Sequence, residues 1–91
     1  MSLETDLWAI NNPAVARMAR ARLAAAEQIL KPLNVKPEVM AAVRRYFTLT
    51  PPPFPDWSKI PHMGEATELF RPRFEQISRL AATLIETGAV Q

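Results

Sequence analysis

His62 is the only histidine in the 91-residue chain, so a metal centre or a catalytic imidazole would have to be built around it. Imidazole and carboxylate groups bind metal ions, and the nearby carboxylates are Glu65 and Glu68. The three residues share one face only if a helix begins early enough to include them. We predict a histidine at the surface or at a helix entry, and no metal ligand.

Asp56, Ser58 and His62 supply the residue types of a hydrolytic triad. They lie within one proline-restrained loop, whereas triads are normally assembled from separated segments. Cysteine is absent, which excludes disulfides and thiol nucleophiles. The two glycines, Gly64 and Gly88, cannot form a phosphate-binding loop. We expect no catalytic residue, no cofactor and no catalytic activity of the chain on its own.

Arg22 is a charged residue in an otherwise apolar helical stripe. On a helical wheel it falls among Val15, Met18, Ala26 and Ile29. Such a charge must be paired or must reach water along its stem. Two interpretations stay open: Arg22 reaches water or pairs within the chain with a carboxylate such as Glu68 or Glu75, or its stripe faces another protein or a ligand carboxylate. Arg22 is therefore a candidate partner-binding residue.

Four other arginines suggest an alternative function. Arg17 and Arg20 of the first long helix, with Arg44 and Arg45 of the second, could contact a phosphate backbone if the helices bring them together. The net charge of +2 neither requires nor excludes a nucleic acid, and no helix-turn-helix pattern accompanies these residues. An ordinary solvated face is the simpler interpretation, and nucleic-acid binding remains the alternative.

A proline-rich segment from Thr48 to Met63 interrupts the helical pattern. Prolines alternate there with the apolar residues Leu49, Phe54, Trp57 and Ile60. Disordered linkers lack such aromatic content, so this segment is predicted to be an irregular strap that packs on something. Phe54 and Trp57 either fill gaps in the chain's own helices or contact a partner. Recognition as a free polyproline ligand is a weaker possibility, because the flanking motif residues are missing.

Helix signals account for most of the remaining chain. A short N-terminal helix is predicted over residues 2–10, and Asn12 followed by proline predicts a long helix from Pro13 to about Leu30. A second helix is predicted from residue 37 to near Thr48, where two arginines suit its negative end.

The last predicted helix carries an apolar stripe opposite a Glu75–Arg79 pair, and Gly88 is predicted to end it. Pro72 either opens this helix or kinks a longer one that starts near Gly64. The predicted fold is therefore all-α: one domain over residues 1–91, a small bundle of three main helices plus a short N-terminal helix, with the strap before the last helix.

These observations favour a small non-catalytic protein-binding module. We expect an accessory or adaptor subunit of a larger complex, or a self-associating chain, with no identified small-molecule substrate. Arginine outnumbers lysine by eight to three, which suggests a GC-rich bacterial source. Neither a secretion signal nor a membrane-spanning stretch is expected, so the predicted location is the cytoplasm. Nucleic-acid binding is the alternative, and an enzyme or metal protein centred on His62 is less favoured.

Overall fold

The computed structural model describes residues 12–48 and 56–90, and these residues are helical without any β-strand. The predicted all-α class is confirmed. The helices in this part of the chain are α1 (Pro13–Leu30), α2 (Pro37–Phe47), α3 (Met63–Phe70) and α4 (Phe74–Glu86). Three short 3₁₀ turns accompany them, at Lys31–Leu33, Trp57–Lys59 and Arg71–Arg73. The predicted N-terminal helix and Phe54 of the strap lie outside the described residues.

The start of α1 follows from its cap. Asn12 is extended, and its Oδ1 accepts hydrogen bonds from the backbone N–H groups of Ala14 at 3.0 Å and Val15 at 3.3 Å. Pro13 occupies the first helical position, where a missing N–H costs nothing. After Leu30 the backbone tightens, and Asn34 adopts a left-handed conformation with φ 54° that reverses the chain. The predicted limits of α1 are confirmed.

Pro72 lies between two helices. Its ring has no N–H and clashes with the carbonyl four residues earlier, so an uninterrupted α-helix cannot pass through it. The chain instead forms the 3₁₀ turn Arg71–Arg73 between α3 and α4. Of the two predicted alternatives, the structure has the helix that starts near Gly64 and is interrupted at the proline.

The end of α4 also agrees with the sequence. Gly88 has φ 78°, a conformation that residues with a Cβ rarely adopt. Its N–H donates to the Ile85 carbonyl at 3.1 Å, and the Val90 N–H donates to the Leu84 carbonyl at 3.1 Å. The chain thereby folds back, and Val90 packs against the core.

The helices α1 and α4 form the main packing contact, while α2 and α3 pack on each other and on α1. Small side chains dominate the buried positions: the core alanines are Ala21, Ala25, Ala26, Ala42, Ala66 and Ala81. No polar or charged side chain is buried in the described part of the chain. Within the same residues, no helix combines the length and apolar character needed to cross a membrane.

Candidate functional site

The aromatic residues of the described chain gather at one end of the bundle. The sequence places them where helices end or begin: Tyr46 and Phe47 close α2, Phe70 closes α3 and Phe74 opens α4. Trp57 joins them from the 3₁₀ turn after the strap. The ring centroids of Tyr46 and Phe70 are 4.5 Å apart, and those of Tyr46 and Trp57 are 5.4 Å apart. These distances are typical of directly interacting rings.

Two neighbouring residues of α2 point in different directions. Phe47 is 7% exposed and belongs to the core, whereas Tyr46 is 37% exposed. Consecutive residues of a helix are separated by about 100°, so one ring can enter the core while the next lies at its edge. Phe70 and Phe74 show the same division, because Phe70 is 3% exposed and Phe74 is 40% exposed.

The exposed rings border a cavity of about 390 Å³, which we call the aromatic cleft. Its lining residues are Tyr46, Trp57, Met63, Thr67, Phe70, Arg71 and Phe74. Met63 and Phe70 are buried and form its floor, while Tyr46 and Phe74 form exposed walls. Cavities of roughly 300–1,000 Å³ with apolar linings are typical binding sites. The aromatic cleft is therefore the candidate site.

Thr67 and Arg71 are the polar residues that line the cleft besides the aromatic residues. The hydroxyl of Thr67 donates to the Met63 carbonyl at 2.8 Å, so its hydrogen is already used within α3. Arg71 is exposed, and its guanidinium takes part in none of the ion pairs found among the described residues. No carboxylate belongs to the described lining. The cleft thus combines an apolar surface with one available cation.

Local hydrogen bonds hold the turn that carries Trp57. Asp56 Oδ1 accepts from the backbone N–H of Ser58 at 3.1 Å and from its hydroxyl at 2.6 Å. An aspartate that bonds two residues ahead is a common turn-forming device. Asp56 and Ser58 therefore serve the turn, and His62 bonds elsewhere. Trp57 remains half-buried against the core.

His62 directly precedes α3, which confirms the prediction of a helix-entry histidine. Its backbone is left-handed with φ 64°, and its Nδ1 lies 2.9 Å from Glu65 Oε1. Both side chains are exposed. The described residues contain no group of three or more side chains that could hold a metal ion, and Glu68 does not complete one.

The structure places Arg22 on the exposed surface of α1. The suggested pairing with Glu68 or Glu75 does not occur among the described residues, and Glu75 instead contacts Arg79 at 2.9 Å, as its spacing predicts. Met18 and Ile29, on the same side of the wheel, are only partly buried. Arg22 consequently reaches water over partly exposed apolar surface.

The four arginines of the alternative hypothesis are all exposed. Arg44 Nε donates to Glu27 Oε2 at 3.1 Å and links α2 to α1. Arg20 lines a smaller hollow of about 200 Å³ with Phe47 and Thr48, on the same pair of helices. The fold therefore brings Arg20 and Arg44 to one seam, where Glu27 offsets one positive charge. Arg17 and Arg45 belong neither to the lining of this hollow nor to the Glu27 ion pair.

No family model, curated protein or solved structure matches this chain. The aromatic cleft is the strongest feature, and sequence reasoning identified only Trp57 among its lining residues as a binding candidate. Tyr46, Phe70 and Phe74 have the helical spacing of core residues, so the apolar pattern alone does not distinguish them from buried positions. The available signal was their position at helix ends, with Phe70 and Phe74 on either side of Pro72.

Proposed function

We propose that this chain is a non-catalytic protein-binding module, an accessory or adaptor subunit of a larger bacterial complex that works in the cytoplasm. The observation that carries the proposal is the exposure of large aromatic side chains around the cleft. Tyr46 and Phe74 are 37% and 40% exposed, whereas alanines fill much of the core. Aromatic anchors of this kind are enriched at the centres of protein interfaces.

Partial burial gives these rings a reason to bind. Burying apolar surface is favourable by about 25 cal/mol per Å², so covering the exposed parts of the rings stabilises a complex. Their positions are already fixed by packing against Phe47 and Phe70, with centroid distances of 4.5–6.2 Å for contacts that include Tyr46 or Phe74. A prearranged surface loses less conformational entropy when a partner binds.

The proposal also covers the arrangement of the helices and the role of the strap. The proposed fold is a small bundle with a short N-terminal helix, and the proposed role of the strap is to carry Phe54 and Trp57 to the partner. Trp57 supports this part because it already lines the cleft. Arg22 lies on α1 and extends the contact surface if the partner is large. Self-association is the form the proposal takes if the partner is a second copy.

The proposal is tested by affinity capture of the tagged chain from its native host, with mass spectrometry before and after nuclease treatment. We expect one nuclease-resistant protein in stoichiometric amount. Phe74→Ser should abolish its recovery, because a polar side chain removes an aromatic wall of the cleft. Leu33→Ser is the matched control, since Leu33 is 43% exposed and does not line the cleft.

Two results would contradict the proposal. Heterogeneous recovery that disappears after nuclease treatment, and that is lost when Arg20 and Arg44 are changed to glutamine, would support nucleic-acid binding instead. Equal recovery of the partner by Phe74→Ser and by the unmodified chain would remove the cleft from the interface.

A further inference from the structure

Two polar groups at the aromatic cleft, those of Arg71 and Trp57, can only donate hydrogen bonds, whereas the hydroxyl oxygen of Thr67 can accept. The Arg71 guanidinium carries a full positive charge, and the indole N–H of Trp57 can only donate. The tyrosine hydroxyl of Tyr46 can donate as well as accept. The described lining contains no carboxylate that would neutralise Arg71. An occupant that fits this cleft must therefore present an acceptor, and a negatively charged acceptor fits best.

We propose that the aromatic cleft binds a segment of a partner protein in which a large apolar side chain lies close to an aspartate or glutamate. The apolar side chain packs between Tyr46 and Phe74, and the carboxylate pairs with Arg71. This inference rests on the proposed function and specifies the chemistry of its partner.

Charge complementarity favours an acidic and apolar occupant over the other simple occupants. A basic segment would bring a like charge to Arg71, and a purely apolar one would cover the guanidinium without pairing it. A second copy that docked cleft to cleft about a two-fold axis would present the same lining, whose described residues include no carboxylate to pair with Arg71. An acidic and apolar segment satisfies both the rings and the cation.

The size of the cleft suits a side chain that projects from a longer chain. Its volume of about 390 Å³ lies near the lower limit of the cavities that hold drug-sized ligands. Tyr46 and Phe74 remain exposed, so the cleft stays open along one side. A partner backbone can continue across that side while one or two of its side chains enter.

The inference is tested by selecting peptides from a phage library of random 12-residue sequences against the purified, folded chain. We expect the selected peptides to contain an aromatic or large aliphatic residue with Asp or Glu within one helical turn. A parallel selection against Arg71→Gln should retain the apolar residue and lose the acidic preference. Arg71→Lys keeps the charge without the planar fork, so it should retain the acidic preference with weaker binding.

A selected peptide then allows a double-mutant cycle. Changing its acid to the amide, or Arg71 to Gln, should each weaken binding by about three- to tenfold, and the two changes together should do no more than either alone. Arg17→Gln is the matched control, because it removes the same charge from an exposed residue outside the cleft lining. It should leave the affinity unchanged.

Peptides without acidic residues, equal losses for Arg17→Gln and Arg71→Gln, or no selected peptide that depends on Phe74 would each overturn the inference. The proposed function has a separate outcome, because it fails only if affinity capture finds no Phe74-dependent protein. A captured partner together with acid-free peptides would therefore retain the protein-binding function and reject the acidic ligand.

Discussion

The contact between α1 and α4 and the aromatic end of the bundle differ in the size and the exposure of their side chains. The helices α1 and α4 pack on each other, and their fully buried residues include the alanines Ala21, Ala25 and Ala81. The aromatic end has large rings, two of which are more than a third exposed. The first region is shielded from solvent, whereas the second leaves apolar surface uncovered.

This difference indicates a division of tasks. Phe47 and Phe70 belong to the core, whereas Tyr46 and Phe74 are exposed and lie outside it. Exposed apolar patches on small proteins commonly mark interaction sites. We therefore expect substitutions in the core to change mainly the stability of the chain, and substitutions at the exposed cleft walls to change mainly its binding.

The largest effect should come from removing a buried leucine. Leu30→Ala should lower the free energy of unfolding by about 2–5 kcal/mol, because it leaves a cavity in a core that relaxes only partly. Leu33→Ala removes the same atoms three residues later at a position that is 43% exposed, and should cost less than about 1 kcal/mol. Urea denaturation of both variants measures the difference. Equal losses would break the distinction between core and surface.

Enlarging a buried alanine tests the close approach of α1 and α4. Ala25→Leu should destabilise the chain by about 1–3 kcal/mol, since Ala25 is completely buried and the extra atoms would force the helices apart. Ala82→Leu makes the same change at an exposed position of α4 and should stay within about 0.5 kcal/mol of the unmodified chain. If both variants unfold at the same urea concentration, the tight contact is not present.

Replacing each of the two glycines with alanine should change the stability of the chain in opposite directions. Gly88→Ala should lower stability by about 1–2 kcal/mol, because φ 78° is unfavourable for a residue with a Cβ. Gly64→Ala should raise it by up to about 1 kcal/mol, since Gly64 is helical and its Cβ would meet no other atom. Thermal melts of both variants give the signs. Stabilisation by Gly88→Ala would contradict the described end of α4.

The smallest effect should come from the ion pair between α1 and α2. Arg44 and Glu27 are 53% and 39% exposed at their side chains, and exposed pairs are typically worth about 0.2–1 kcal/mol. A double-mutant cycle with Arg44→Gln and Glu27→Gln should give a coupling energy in this range that decreases with added salt. A coupling well above it would mean that this seam contributes to stability as the core does.

The sequence predicted the helices well because their signals are local. Asn12 and Pro13 define the start of α1, and Gly88 marks the end of α4, through bonds within a few residues of each position. From the sequence, Pro72 either opens the last helix or kinks a longer one, and only the backbone between α3 and α4 decides between these alternatives.

The cleft was harder to predict because it depends on contacts between distant parts of the chain. Helical spacing groups Phe70 and Phe74 with core residues, but it cannot show that α2 and Trp57 leave one side of Phe74 uncovered. Arg22 shows the reverse case, since it falls in an apolar stripe on a helical wheel but is itself exposed in the fold, beside the partly buried Met18 and Ile29. Periodicity indicates which residues share a face, and packing decides how much of that face is covered.

We expect the exposed walls of the cleft to serve binding more than folding, and the free energy of unfolding of Phe74→Ser measures how much one of these walls contributes to folding. Ile77→Ser, one turn later on α4 at a position 1% exposed, is the reference. We predict that Phe74→Ser lowers the free energy of unfolding by less than half as much as Ile77→Ser does. Equal or greater loss for Phe74→Ser would show that the aromatic wall is part of the core and would contradict the claim.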